Sequence, residues 1–356
     1  MEKKENLLGY SLETLEDFFK RIEEPKFRAK QLLKWIHQKG VIEFEMMTDF
    51  NRPLRQRLAE IAVIRPPQVD EVHVSPEGTK KYLIKLDSGS MVEMVRIPEK
   101  KRMTLCISSQ AGCALQCTFC ATGAQGFEKN LTAAEIIGQV WLANFYDSND
   151  SNITNVVFMG MGEPLLNFTP VVESAKIMKD QLAYGLSRKR ITISTSGITP
   201  QIDQLTSSID VSLAISLHAP IDSLRDEIVP INKKYPIKDL MAACKRYINK
   251  APRDFITFEY VMLKGVNDSI QQAKLLIQIV KEVPCKFNLI PFNPFPNSGY
   301  LCSDKKTINE FKSVLMEAGI IATIRKTRGD DIDAACGQLA GQVQDKTKRT
   351  MRIKSV

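Results

Sequence analysis

Residues 11 to 62 carry apolar side chains at every third or fourth position, the period of helices that bury one face. Ser11 is suited to cap the first helix, and Gly40 to end the second. Three helices are predicted in this part of the chain. His37, near the end of the second, is expected to be a cap or a surface residue.

A period of two follows, over residues 80–86 and 91–97, and the turn-forming Asp87-Ser-Gly-Ser between them predicts a β-hairpin. On the second strand Glu93 and Val95 share one face, while Arg96 suggests that the opposite face is the wetter one. Glu93 is then expected among apolar neighbours. A carboxylate in that position suits a proton acceptor, or it simply pairs with an arginine.

From residue 103 onward, strand-like and helix-like segments alternate. The predicted strands are 103–108, 155–160, 190–195, 211–217, 256–263 and 286–290, and the predicted helices include 132–146, 170–181, 236–249, 269–282 and 304–317. Six such units in succession indicate a parallel sheet curled into a partial barrel. The expected fold class is α/β: a partial (β/α)6 barrel with a small helical N-terminal domain and a β-hairpin extension.

The domain boundaries follow from these changes of period. We expect a helical accessory domain at 1–66, the hairpin extension at 67–98, the barrel core at 99–331 and a C-terminal segment at 332–356. The segment 320–324 is expected to add a last strand before the C-terminal segment begins.

Composition and charge indicate a globular protein with a moderate basic excess. The 356 residues are 44% hydrophobic, and 49 Lys+Arg against 41 Asp+Glu give a net charge of +8. One basic group, which includes Lys26, Arg28, Lys30 and Lys34, lies in the helical region, and another lies near the C-terminus; together they favour a nucleic-acid partner. No apolar run approaches membrane-spanning length, so a cytoplasmic protein without membrane contact is expected.

The stretch Gln110-Ala-Gly-Cys113-Ala-Leu-Gln-Cys117-Thr-Phe-Cys120 follows the first barrel strand and has the spacing C-x3-C-x2-C. Three thiolates on one short loop can each hold one iron of a cubane cluster, which leaves the fourth iron open to a small ligand. A structural zinc site would require a fourth cysteine or histidine, and none follows just downstream. The spacing therefore favours an iron–sulfur cluster, which requires a reducing compartment.

Glycines and polar residues follow four of the other five predicted strands. In chain order they are Gly160-Met-Gly162-Glu163-Pro164, Ser194-Thr-Ser-Gly, Ser216-Leu217-His218 and Pro291-Phe-Asn293. Glycine lets a backbone approach a ligand closely, and a glutamate can accept a hydrogen bond from a ligand ammonium group. Because ligands of such barrels gather at the carboxyl ends of the strands, one molecule could contact all of these segments.

Taken together, these motifs resemble the RlmN/Cfr family of radical-SAM RNA methyltransferases. The cysteine spacing is typical of the radical-SAM superfamily. Typical of the family are Thr104-Leu-Cys106-Ile-Ser-Ser-Gln-Ala-Gly-Cys113, Gly160-Met-Gly-Glu-Pro-Leu-Leu-Asn and Arg328-Gly-Asp-Asp-Ile-Asp-Ala-Ala-Cys336-Gly-Gln-Leu. The resemblance implies a [4Fe-4S] cluster, two molecules of S-adenosyl-L-methionine (SAM) per turnover, 23S rRNA and tRNA as substrates, and a reductant protein such as flavodoxin.

The resemblance also implies roles for single residues. Cys336 would carry the methyl group as S-methylcysteine, Glu93 would remove the proton from C2 of the target adenosine, and Cys106 would release the product through a transient disulfide with Cys336. The cluster would be held by Cys113, Cys117 and Cys120, and SAM would be bound by Gly162, Glu163, Ser194, Ser216, Leu217, His218 and Asn293.

Three alternatives remain open at this point. The C8-specific branch of the same family would methylate a different carbon, although Arg328-Gly-Asp-Asp-Ile-Asp resembles the C2 branch. A non-catalytic iron–sulfur protein would bind RNA without cleaving SAM. A zinc-stabilised binding protein would contain zinc and no iron.

Overall fold

Helices and strands lie close to where the sequence periodicity predicts them. The computed structural model describes residues 4–146, 152–249, 255–295, 298–326, 328–329, 332–334 and 337–339. The helices are α1 (Leu12–Arg21), α2 (Phe27–His37), α3 (Arg52–Ile61), α4 (Ala121–Gln125), α5 (Ala133–Phe145), α6 (Phe168–Lys179), α7 (Thr199–Ser208), α8 (Asp222–Ile228), α9 (Ile237–Ile248), α10 (Ile270–Ile279) and α11 (Lys305–Glu317). The strands are β1 (Glu5–Asn6), β2 (Ala62–Val63), β3 (Gln68–Val74), β4 (Lys80–Lys85), β5 (Met91–Glu99), β6 (Arg102–Cys106), β7 (Gln110–Gly112), β8 (Phe127–Asn130), β9 (Asn155–Phe158), β10 (Ile191–Thr195), β11 (Ser212–Ser216), β12 (Ile256–Met262), β13 (Cys285–Pro291) and β14 (Ile321–Ile324).

The helices α1, α2 and α3 form because each begins at a favourable position and buries one apolar face. The hydroxyl of Ser11 accepts from the backbone N–H of Thr14, as predicted, and the side chain of Asn51 caps α3 in the same way. The strands β1 and β2 pair in parallel and bring the two ends of this helical unit together. None of the helices in the described ranges combines the length and apolar character that a bilayer crossing requires.

The expectation that His37 is a cap or a surface residue is wrong. His37 is 2% exposed, and its Nδ1 lies 3.0 Å from the hydroxyl oxygen of Tyr184. It is buried because α2 packs against the barrel, where the indole N–H of Trp141 donates to the carbonyl oxygen of Ile36 at 3.1 Å. A histidine at the end of a predicted helix gave no sign of this long-range contact.

Ten of the described strands form one sheet in the order β14-β13-β12-β11-β10-β9-β6-β5-β4-β3. From β6 to β14 all neighbouring strands are parallel, whereas β3, β4, β5 and β6 are antiparallel to one another. A single polar cavity is lined by residues of every strand from β5 to β14 in this order, so the sheet curls around it. The predicted partial barrel with its hairpin extension is confirmed.

Candidate active site

The cysteine loop is closed at its base by a short ribbon of two strands. β7 pairs with β8, and the backbone N–H of Cys113 donates to the carbonyl oxygen of Gly126 at 2.9 Å. Gly112 has φ of 70°, and a Cβ there would lie 1.8 Å from the same oxygen. Only glycine fits this position, and it allows the loop to turn back on itself directly before the first cysteine.

The three cysteines line one cavity at the carboxyl ends of β9, β10 and β11. The walls of this cavity also include five of the residues predicted to bind SAM: Gly162, Glu163, Ser194, Ser216 and His218. Phe119 and Met159 contribute apolar side chains to the lining of the same cavity. Residues that are far apart in the sequence thus border one space at the end of the barrel where ligands are expected.

Glu163 is oriented by backbone groups of neighbouring segments. Its Oε2 accepts from the N–H of Ser196 at 2.8 Å, and its Oε1 accepts from the N–H of Leu165 at 3.0 Å. Burial raises the pKa of Glu163, and these two donors oppose the rise. Gly162 precedes it with φ of 95°, and a Cβ there would lie 2.4 Å from the Cβ of Gln110. Glycine is therefore required where the backbone passes the cysteine loop.

His218 adopts an uncommon backbone conformation after β11, with φ of 60°. Its Nδ1 accepts from the N–H of Val261 at 3.0 Å, and its ring lies edge-on to that of Phe119 with the centroids 4.6 Å apart. Burial lowers the pKa of His218 to about 3, and the charge of Arg225 contributes to the decrease. The ring is therefore neutral at physiological pH, and its proton is on Nε2.

Arg225 is fully buried and ties the ends of two strands together. Its guanidinium donates to the carbonyl oxygens of Ser196 at 2.7 Å, Leu217 at 2.9 Å and Ser216 at 3.0 Å. Burial lowers its pKa to about 10, and the negative charge of Cys117 as a thiolate acts in the opposite direction. Arg225 stays charged at neutral pH and brings a positive charge to the cysteine loop.

A second group of predicted residues lies where β4, β5 and β6 run side by side. Lys81 is opposite Val95, and Val95 is opposite Cys106, so all three share one face of the sheet with Glu93. Nζ of Lys81 lies 3.3 Å from Oε1 of Glu93, and the two side chains are 10% and 9% exposed. We call this group, Lys81, Glu93 and Cys106, the acid–thiol corner.

The prediction that the Arg96 face of β5 is the wetter one is wrong. Val92 and Met94 are fully buried, and Arg96 is 2% exposed. Both faces of β5 are covered by protein, so an arginine on a strand did not identify a solvent-facing side. Glu93 is 7% exposed, so it is buried as expected. It is buried because protein covers both faces of the strand, and not because the opposite face is the one in contact with solvent.

The described stretches on either side of position 336 contact both groups. The carbonyl oxygen of Asp333 accepts from Nζ of Lys81 at 3.4 Å, and that of Gly337 accepts from the N–H of Ala121, the residue after Cys120, at 2.8 Å. Cys336 itself lies outside the described residues, so its pairing with Cys106 stays a prediction. No disulfide joins any two of the cysteines that the structure describes.

Comparison with known proteins agrees with the architecture of the cavity. Residues 5–64 match the ribosomal RNA large subunit methyltransferase N-terminal domain, and residues 107–276 match the radical SAM superfamily. A radical SAM methyltransferase from Sphaerobacter thermophilus, known from its crystal structure, is 38% identical over 95% of this chain and 100% of that one, with a TM-score of 0.89. The chain belongs to the RlmN-type radical SAM methyltransferase family.

Two further solved structures are similar over part of the chain. A domain of the pyruvate-formate lyase-activating enzyme from Bacteroides vulgatus is 18% identical, with a TM-score of 0.38, over 48% of this chain and 99% of that one. SuiB from Streptococcus suis, bound to S-adenosylmethionine, is 16% identical, with a TM-score of 0.44, over 62% and 47%. Because both similarities are weak, the family assignment depends on the Sphaerobacter enzyme.

Members of the radical SAM family carry a [4Fe-4S] cluster and bind SAM, and the cavity fits both. Burial raises the pKa of Cys113 to about 12 and also raises that of Cys117, but a metal deprotonates the thiols it binds. Within the described ranges, no three His, Cys, Asp or Glu side chains converge on a single ion. A cluster does not require such convergence, because each thiolate holds a different iron.

Two residues that the family resemblance assigns to SAM lie apart from the cysteine-lined cavity. Leu217 is fully buried, and its backbone N–H donates to the carbonyl oxygen of Glu259 at 3.1 Å. Asn293 borders the adjoining polar cavity inside the barrel. Any contact of Leu217 with a ligand would therefore involve its backbone.

The roles of Arg225, Gln110 and Lys81 were not predicted from the sequence. Gln110 accepts from the N–H of Glu163 at 2.8 Å through its Oε1 and so joins the cysteine loop to the next strand end. Arg225 and Lys81 belong to no motif, and Gln110, although it begins the cysteine stretch, is not one of the spaced cysteines, so no spacing or period assigns a role to any of them. For Arg225 and Gln110, their sequence proximity to His218 and Cys113 was the only available hint.

Proposed function

We propose that this methyltransferase transfers a methyl group to C2 of an adenosine in 23S rRNA, near the peptidyl-transferase centre, and of an adenosine in tRNA anticodon loops. The main support is the position of the acid–thiol corner: Glu93 and Cys106 share a face beside a stretch, 332–334, that leads directly to position 336. The match of residues 5–64 to a ribosomal RNA methyltransferase domain supports an RNA substrate.

The chemistry explains why an acid and two thiols are needed. C2 of adenine is flanked by two electron-withdrawing nitrogens and is too poor a nucleophile to attack the SAM methyl group directly. When bound, the cluster and SAM supply the one-electron chemistry that activates a methyl group carried on sulfur. The chain's own residues then hold the carbon, move the proton and release the product.

In this proposal Cys336 carries the methyl group as S-methylcysteine and becomes joined through that carbon to C2. The Glu93 carboxylate takes the ring proton from C2. The Cys106 thiolate attacks the sulfur of Cys336 and a disulfide forms, while the sulfur–carbon bond breaks and its electron pair stays on the carbon attached to C2. That carbon takes up a proton to become the methyl group, and the methylated base leaves. A reductant protein such as flavodoxin would supply the electrons, and the disulfide must be reduced again before the next turnover.

RNA recognition is assigned to the helical N-terminal unit. Lys26, Lys30 and Lys34 are exposed and recur at intervals of four along α2, so they form one basic stripe. Arg28 does not belong to this stripe: its guanidinium lies over the ring of Phe27 at 4.8 Å and donates to the carbonyl oxygen of Asp49 at 3.0 Å. Because C2 is inaccessible in a base stack, the target adenosine would be extruded into the barrel.

The test compares the wild type with Cys336→Ala after anaerobic reconstitution. We expect the variant to retain iron and to lose methylation of a 23S rRNA fragment. In the wild-type product, mass spectrometry should locate the methyl group on C2 of one adenine. Methyl transfer by the variant at the wild-type rate would refute the sulfur carrier, and a methyl group on C8 would refute the proposed position.

A further inference from the structure

The ammonium group of Lys81 joins two parts of the molecule that the proposed reaction must bring together. It lies 3.3 Å from Oε1 of Glu93 and donates to the carbonyl oxygen of Asp333 at 3.4 Å. Lys81 is 8% exposed, which is uncommon for a lysine without a specific partner. The two residues that it contacts, Glu93 and Asp333, are 240 positions apart in the chain, and one lysine side chain connects them.

The turn before Lys81 contacts the same C-terminal stretch. Oε2 of Glu77 lies 3.3 Å from a guanidinium nitrogen of Arg328, and Oε1 of Glu77 accepts from the N–H of Gly329 at 3.3 Å. A Cβ on Gly329 would lie 3.1 Å from a methyl carbon of Thr79, so the two segments are in close contact. The β3–β4 hairpin therefore contacts residues 328–329 and Asp333, and Lys81 is the residue among these contacts that also reaches Glu93.

We infer that Lys81 is a positioning residue: it fixes the Glu93 carboxylate and aligns it with the stretch that leads to position 336. This inference rests on the function proposed above. Without a donor, a carboxylate in a desolvated site can rotate and can become protonated. A lysine ammonium group beside it restrains its orientation and favours its charged form. The same ammonium binds a backbone carbonyl, so the alignment does not depend on the side chain of Asp333.

Three charged or titratable groups among the described residues face Glu93 or adjoin it. Lys81 approaches from β4, Cys106 shares its face from β6, and Asp333 lies in the adjoining loop. Of these, Lys81 brings the positive charge. Removing it should therefore change both the rate of proton transfer and its dependence on pH.

The test uses reconstituted enzyme and a 23S rRNA fragment transcribed in vitro, with the variants Lys81→Met, Lys81→Arg and Glu93→Gln. We expect Lys81→Met to lower kcat for methyl transfer roughly ten-fold or more and leave KM for RNA unchanged, with a smaller loss than Glu93→Gln. The acid limb of the pH–rate profile should move to higher pH, because the carboxylate has lost its positive neighbour. Lys81→Arg should restore most of the rate.

The matched control is Lys85→Met, which removes an exposed lysine of the same strand and the same face. If Lys81→Met matches Lys85→Met in rate and pH profile while Glu93→Gln is inactive, the inference about Lys81 is wrong and the proposed function stands. If Glu93→Gln is fully active, the proposed proton acceptor is wrong. Should Lys81→Met fail to fold, Lys81→Gln replaces it, and an unchanged pH profile in that variant also overturns the inference.

Discussion

The cysteine loop and the acid–thiol corner are both joined to β6, since the loop follows this strand and the corner includes its last residue, Cys106, but they are assembled from very different lengths of chain. Cys113, Cys117 and Cys120 lie within one loop. In contrast, Lys81 and Asp333 are 252 positions apart, and the hydroxyl of Ser108, which follows β6, donates to the carbonyl oxygen of Glu93 at 2.6 Å. A local spacing is visible in the sequence, whereas a corner of this kind becomes visible only when the strand registers are known.

The largest effect is expected at the locally encoded region. Cys117→Ser removes one of three thiolates, so we expect the enzyme purified anaerobically to lose most of its iron and methyl transfer to fall to background. Iron content, visible absorbance and methylation assays would measure this. Cys285→Ser, on β13 and outside the cavity, should keep both iron and activity; equal losses in the two variants would show that the cysteine loop has no special role.

A smaller effect is expected where the loop meets the next strand end. Gly162→Ala would bring a Cβ to 2.4 Å from Gln110 in a backbone conformation that alanine disfavours. Strain of about 1–3 kcal/mol would displace Glu163 and weaken SAM binding roughly ten- to hundred-fold. Equilibrium binding of SAM to reconstituted enzyme would measure it. Gly265→Ala, where a Cβ meets no atom within 4 Å, is the control, and equal affinities would contradict the assigned close approach.

The sequence predicts the barrel well because each strand and helix carries its own period. The predicted strand 256–263 is observed as Ile256–Met262, and the predicted helix 304–317 as Lys305–Glu317. The faces of β5 were predicted incorrectly, since alternation shows which residues share a face and not what covers it. Arg225 was missed because its partners are backbone carbonyls of residues that only folding brings near it.

RNA binding provides a further test of a locally encoded feature. Replacing Lys26, Lys30 and Lys34 by glutamine should weaken binding of the 23S rRNA fragment. It should also flatten the dependence of log K on log salt, by about 0.7–0.9 for each lost phosphate contact. The same replacement of Lys274, Lys281 and Lys305, which are exposed on or beside α10 and α11, matches the charge change. A loss of activity that is equal at low and high salt, or equal in both triple variants, would count against the stripe on α2.

The smallest effect concerns another long-range contact, between His37 and Tyr184. Burial lowers the pKa of His37 from 6.5 to about 3, so the folded protein keeps it neutral. Below about pH 6.5 the unfolded chain takes up a proton that the folded chain does not, so this histidine destabilises the fold progressively as the pH falls toward 3.

His37→Gln removes that titration, and its melting temperature should fall less steeply than that of the wild type between about pH 7 and pH 5, by a few degrees. The comparison of slopes is the useful measurement, because the glutamine also changes the contact with Tyr184 at every pH. Tyr184→Phe, which removes the hydroxyl contact and keeps the buried histidine, is the control and should follow the wild-type slope. Parallel curves for wild type and His37→Gln would mean that His37 becomes protonated within the folded protein, and that α2 packs on the barrel less tightly than the 3.0 Å contact indicates.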